Sequence, residues 1–178
     1  MPFFFSYSLD CHRVTGFTAA SRHALVKRTF VHVLRQYGFV PDAHEPRFSD
    51  GKGPDVCFQL GDQLALIDVT IVNPLAPSYV VAEAARPGAT VEAAESSKDR
   101  RHSADADSRR MAFFPLALTT FGLPGPRTLQ MLRRCASMTP HARGFMTHMM
   151  SALGVAVQRG NAGMINAAMA SWWTFGVR

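Results

Sequence analysis

From Ala20 to Tyr37 the apolar residues Leu25, Val26, Phe30, Val33 and Leu34 recur at helical spacing. Arg22, Lys27, Arg28 and Arg35 fall mostly off that stripe, so the pattern predicts an amphipathic helix with a solvated basic face. Thr18 or Ser21 can cap its start and Gly38 supplies the stop. The piece Phe39 to Glu45 is extended but carries a proline, which suggests an edge or interrupted strand. Residues 48–54 are loop chemistry. Two apolar runs follow, Asp55 to Leu60 and Gln63 to Val72, separated only by Gly61-Asp62, a spacing that predicts a hairpin. The second run is apolar almost throughout and reads as a buried central strand. Asp68 interrupts it, and a lone carboxylate there is costly unless it is paired, hydrogen-bonded or metal-bound.

Residues 73–88 form a proline-punctuated loop with one helical turn expected near Val81–Ala85. A polar helix is expected from about Thr90 to Arg110, with Glu95, Lys98, Arg101, His102 and Asp105 among its polar positions. Met111 to Phe121 is an apolar strand containing Pro115. The rest reads as helices near Arg127–Ser137, Pro140–Gln158 and Ala162–Trp173. Seven of the nine methionines lie in this tail, which suggests adaptable packing against another surface. The order of helix, three strands, helix, strand and further helices implies an α/β fold with a mixed sheet flanked by helices.

The 178 residues suit about one domain, and 47% apolar content supports a real core. The net charge of +6 suggests a polyanionic partner, and its distribution says more. Residues 1–50 carry +2, residues 51–92 carry −3 and residues 93–178 carry +7. An acidic island thus lies inside a basic chain. Cys11, Cys57 and Cys135 are odd in number and far apart, which argues for a reducing compartment rather than a disulfide framework. With no signal-peptide pattern and no long apolar run, the expected location is intracellular, with no membrane span.

The acidic island holds the sharpest motif: Lys52-Gly53-Pro54-Asp55, then twelve residues, then Asp68. With 61 and 62 as the hairpin loop, Leu60 faces Gln63 and Asp55 faces Asp68. Directly opposed residues have Cβ atoms about 4.5–5.5 Å apart. Two carboxylates that close repel unless a cation lies between them, and such oxygens are what Mg²⁺ prefers. Read singly, Asp55 is also an ordinary turn residue after proline and Asp68 a hydrogen-bonded core acid.

These residues resemble the PD-(D/E)XK nuclease core, in particular the restriction-enzyme-like endonuclease domain of site-specific non-LTR retrotransposons. That family has a basic residue, Pro and Asp, a dozen or so residues, then Asp or Glu; here the basic residue, Lys52, is displaced by one. Asp68-Val69-Thr70-Ile71-Val72-Asn73-Pro74-Leu75 and Phe114-Pro115-Leu116-Ala117-Leu118-Thr119-Thr120-Phe121-Gly122 are similar to it as well. The resemblance covers roughly residues 20–136. It implies a nuclease-like core there, an N-terminal segment over 1–19 and a C-terminal helical extension over 137–178. It also implies a nuclear location, and a reverse transcriptase domain or element RNA as partner.

Two departures stand out. The usual Lys two residues after the second acid is replaced by Thr70. In such relatives a Lys on the following helix can take over, which makes Lys98 the candidate, with Glu95 on the same helix face as a positioning group or a further metal ligand. The upstream zinc knuckle is missing, Cys11-His12 being at most its last remnant. The implied chemistry is hydrolysis of a DNA phosphodiester assisted by Mg²⁺ or Mn²⁺ on Asp55 and Asp68, with Lys98 as the third catalytic group. Lys52, Arg100, Arg101, Arg109, Arg110, Arg133 and Arg134 are candidates to hold the DNA backbone. His102, one turn beyond Lys98, reads as a surface residue or a further phosphate contact. Two rivals stand beside the nuclease: a nucleic-acid-binding module with a degenerate site, and a protein–protein interaction domain using the Met-rich tail.

Overall fold

The computed structural model describes residues 16–42 and 53–175. The first helix, α1 (Ala19–Gln36), opens on a reciprocal cap. The Thr18 side chain accepts the Ser21 N–H, and the Ser21 side chain accepts that of Thr18. Two strands, β1 (Val56–Leu60) and β2 (Gln63–Val72), pair antiparallel with Leu60 facing Gln63 and Val56 facing Ile67. A short helix, α2 (Val80–Ala85), leads to the long polar helix α3 (Ala89–Ser108). Next, β3 (Ala112–Thr119) returns parallel to β2, setting Asp68 beside Pro115. The sheet order is β1-β2-β3, so β2 is central; Pro115 is tolerated because β3 lies at an edge of this sheet. Two helices follow, α4 (Pro126–Ser137) and α5 (Ala142–Phe175). The described residues are therefore α/β, a three-stranded mixed sheet flanked by helices.

Strand alternation sorts the side chains into two layers. Val56, Phe58, Leu60, Ala65, Ile67 and Val69 join the main core with Val26, Phe30, Val33 and Leu34 of α1. Cys57 and Leu66 look the other way and meet Ala106 and Phe113 in a smaller cluster under α3. Phe39 extends the main core, its ring edge-on to Phe58 at 5.6 Å. Of the extended piece expected over 39–45, Asp42 bridges to Cys57, and residues 43–45 lie outside the described residues. Cys57 and Cys135 are free, buried thiols; Cys11 also falls outside the described residues.

The C-terminal region corrects one expectation. Helices expected over 140–158 and 162–173 are one continuous helix, because Arg159-Gly160-Asn161 is a packing seam and not a break. Gly160 lies so close to the stem of Arg22 that any Cβ would collide with it. Asn161 accepts from Arg22 Nη1 at 2.8 Å and donates to the Thr120 carbonyl at 2.6 Å, tying α5 to α1 and to the end of β3. The methionine-rich tail packs largely inward. Met131 and Met149 are fully buried in the core shared with α1 and the sheet, beside Phe145, Leu153 and Val157. The core therefore runs without interruption across position 137. Among the described residues no helix is long and apolar enough to cross a membrane.

Candidate functional site

The inner face of α3 explains why this helix looks polar throughout. Its buried residues include Val91, Glu95, His102 and Ala106, spaced at helical intervals, and half-buried Lys98 falls on the same line. A stripe that would ordinarily be aliphatic carries an acid, a lysine and a histidine into the sheet. Lys98 Nζ stands 2.7 Å from Asp68 Oδ2, and His102 Nε2 lies 3.4 Å from the same oxygen. The His102 ring packs on Phe113 at 5.3 Å between centroids, so this histidine is a buried partner of Asp68 and not a surface residue.

Asp55 sits just ahead of β1, where the hairpin ladder stops. Extending the pairing by two places Pro54 opposite Val69, and proline has no N–H to give. Side chains take over there. Asp55 Oδ2 accepts the Val69 N–H at 2.8 Å, and His23 Nε2 contacts both the Val69 carbonyl at 3.1 Å and Asp55 Oδ2 at 3.0 Å. Lys27 Nζ reaches Asp55 Oδ1 at 3.5 Å. Each aspartate is thus gripped by one histidine and one lysine, four residues apart on one helix: His23 and Lys27 from α1, Lys98 and His102 from α3. Four residues is the spacing that stacks two side chains on one helical face.

The two carboxyl groups are close enough to influence each other, and they part in opposite directions. Burial pushes Asp55 up, but the hydrogen bond and charge of His23 and the Val69 N–H outweigh it and hold the group at about 2. Burial raises Asp68, Lys98 pulls it back, and the neighbouring Asp55 raises it again, leaving it above its ordinary value. The hydrogen bond to Asp55 lifts His23 against the lowering effect of its burial. Asp55, Asp68, His23 and Lys98 line one cleft of about 430 Å³, together with Arg22, Thr70 and the small residues Ala19 and Ala20.

Glu95 is not brought to this cleft. It is buried beneath the start of α4, where it accepts the N–H groups of Arg127 and Thr128 and the Thr128 hydroxyl, at 2.8–3.1 Å. A carboxylate there satisfies orphan helix N–H groups and complements the helix dipole. Gly125 precedes the helix because a Cβ at that position would collide with the Glu95 carboxylate. The expectation of Glu95 as a metal ligand is therefore replaced by a capping role, since both of its oxygens are turned to α4. Lys52 lies outside the described residues. Arg100, Arg101, Arg109, Arg110 and Arg133 are exposed, and Arg134 is half-buried with Nη2 3.5 Å from Gln63 Oε1. Lys27, expected on a solvated face, instead turns toward Asp55, while Arg28 and Arg35 are exposed as expected.

His23 was not singled out by the sequence. The available signal was its spacing of four from Lys27, meaningful only once α1 is known to cross the end of the hairpin at Pro54-Asp55. Among the described residues no group of three or more His, Cys, Asp or Glu is arranged to hold a metal ion. No family model matches the chain, and no curated protein matches it.

Proposed function

We propose that this protein is a metal-dependent DNA endonuclease of the restriction-like, PD-(D/E)XK type, which nicks DNA by hydrolysing a phosphodiester. The observation that carries the reading is the convergence of Asp55, Asp68 and Lys98 on one open cleft, three residues drawn from a strand end, a central strand and a helix. Thr70 lines the same cleft where such a core usually has its lysine, and Lys98 supplies an ammonium from α3 instead.

The donor set fits a hard divalent cation. Asp55 and Asp68 offer carboxylate oxygens, and Mg²⁺ is commonly held by one or two carboxylates plus water and substrate phosphate. When bound, such a cation supplies a Lewis acid toward the phosphoryl oxygen and a more acidic water. The residues do the rest. The Val69 N–H and His23 fix the plane of the Asp55 carboxylate, and burial between α3 and the sheet fixes Asp68. Lys98, half-buried at the cleft wall, is placed to donate to a phosphate oxygen as negative charge builds there. Exposed Arg100 and Arg101 leave α3 just beyond Lys98 and would hold the flanking backbone, with nuclear DNA as substrate and a reverse transcriptase or element RNA as partner.

The test is nicking of supercoiled DNA in Mg²⁺ or Mn²⁺, comparing wild type with Asp68→Ala. Loss of nicking in the variant alone is the expected result. Equal nicking by both removes Asp68 from the chemistry. DNA binding without nicking by either protein favours the second reading, a nuclease fold that binds nucleic acid without cutting it, for which Thr70 in the lysine position speaks. Absence of a salt-sensitive DNA interaction points instead to a protein partner.

A further inference from the structure

The position of His23 leads to an inference about α1, a helix the motif does not include. Where the ladder ends at Pro54, the Val69 carbonyl loses the amide that would have met it, and His23 Nε2 comes within 3.1 Å of that oxygen. The carbonyl can only accept, so Nε2 must carry a proton. The same nitrogen lies 3.0 Å from Asp55 Oδ2, an oxygen that also accepts the Val69 N–H. One carboxylate oxygen is thereby occupied by two donors. The other, Oδ1, lies 3.5 Å from the Lys27 ammonium, and with the neighbouring Asp68 carboxyl it offers the oxygen a cation can take.

We propose that His23 is a positioning residue of the candidate metal site: by donating to Asp55 Oδ2 and to the Val69 carbonyl together, it turns Asp55 Oδ1 toward the cation and makes α1 part of the site. The inference rests on reading the cleft as a divalent-cation site. Partners that orient a ligating carboxylate typically contribute 10–100-fold to metal affinity, by about that ratio when removed. The distinction from a merely structural role lies in which replacement restores binding. Gln at position 23 carries a terminal N–H that can reach where Nε2 stood; Asn is too short, and Leu has no donor.

The experiment is titration of the full chain with MnCl₂, followed by water-proton relaxation, in wild type, His23→Leu, His23→Asn and His23→Gln, with thermal melting of each. Mn²⁺ affinity is expected to fall about ten-fold or more in the Leu and Asn variants, and to return to within a few-fold of wild type in the Gln variant. Should Leu fail to fold, the Asn and Gln pair carries the same comparison. Unchanged affinity in the Leu or Asn variant overturns the inference while leaving the metal site standing. Equal loss in all three, at wild-type melting temperature, also overturns it. Failure of folded wild type to bind Mn²⁺ at millimolar concentration removes the metal reading itself, and this inference with it.

Discussion

Two buried acids lie under α3, and they are satisfied in opposite ways. Glu95 accepts from two backbone N–H groups and a hydroxyl at the start of α4, all neutral and fixed by the fold, and is 2% exposed. Asp68, across the sheet from the main core, meets the Lys98 ammonium and the His102 ring at the wall of an open cleft. Neutral backbone donors cannot leave without unmaking a helix end. A lysine ammonium on a four-carbon stem can swing away and let another cation or a phosphate in. One acid holds the architecture together, and on the proposed function the other is the exchangeable one.

Lys98→Met should break that comparison most sharply. Nicking in the presence of Mg²⁺ by the folded protein is expected to fall about 10²–10³-fold, the usual loss for one transition-state donor. An unchanged rate would mean that Lys98 merely neutralises Asp68. Glu95→Ala should do the converse. It strands the backbone N–H groups of Arg127 and Thr128, so unfolding in urea should show about 2 kcal/mol of lost stability, while the folded fraction still nicks. A Glu95→Ala protein of normal stability and no activity would move Glu95 into the site.

Acid titration sharpens the contrast within the cleft. Asp55 is held at about 2 against an ordinary 3.8. Its folded form binds protons less readily than its unfolded form, so its contribution is present above pH 4 and is lost as pH falls toward 2. The shift corresponds to about 2 kcal/mol. Asp68 runs the other way, because its raised value makes stability fall as pH rises through it. Asp55→Asn should therefore flatten acid unfolding between pH 4 and 2, and Asp68→Asn should not; identical acid profiles would contradict the opposed environments. The smallest effect is expected at the rim. Arg101→Ala should weaken DNA binding by about 1 kcal/mol or less and reduce the salt slope by about one, read by fluorescence anisotropy at several salt concentrations.

Much of the frame was legible from patterning. The hairpin register followed from a two-residue loop between apolar runs, and that loop alone puts Asp55 and Asp68 on facing positions. The amphipathic stripe of α1 and the apolar run of β2 were likewise visible, since each buries aliphatic residues at a regular period. Misreadings fell where polar residues do the work of packing. Lys27 and His102 looked solvated because hydrophobic periodicity scores a buried lysine or histidine as surface. Arg159-Gly160-Asn161 looked like a helix end because glycine beside asparagine usually is one; here the missing Cβ admits the Arg22 stem.

By itself the sequence determined which residues could meet locally: a period-two hairpin fixes its own register, and a helix fixes that His23 and Lys27, or Lys98 and His102, share a face. Only the tertiary structure decided where those faces point. Lys98 and Glu95 lie three residues apart on α3, and nothing local separates a site lysine from a capping acid. The crossing of α3 over β2, and the start of α4 beneath it, assigned one to the cleft and the other to a helix end. Long-range packing made that choice, because each buried charge had to lie where a partner from a different element could meet it.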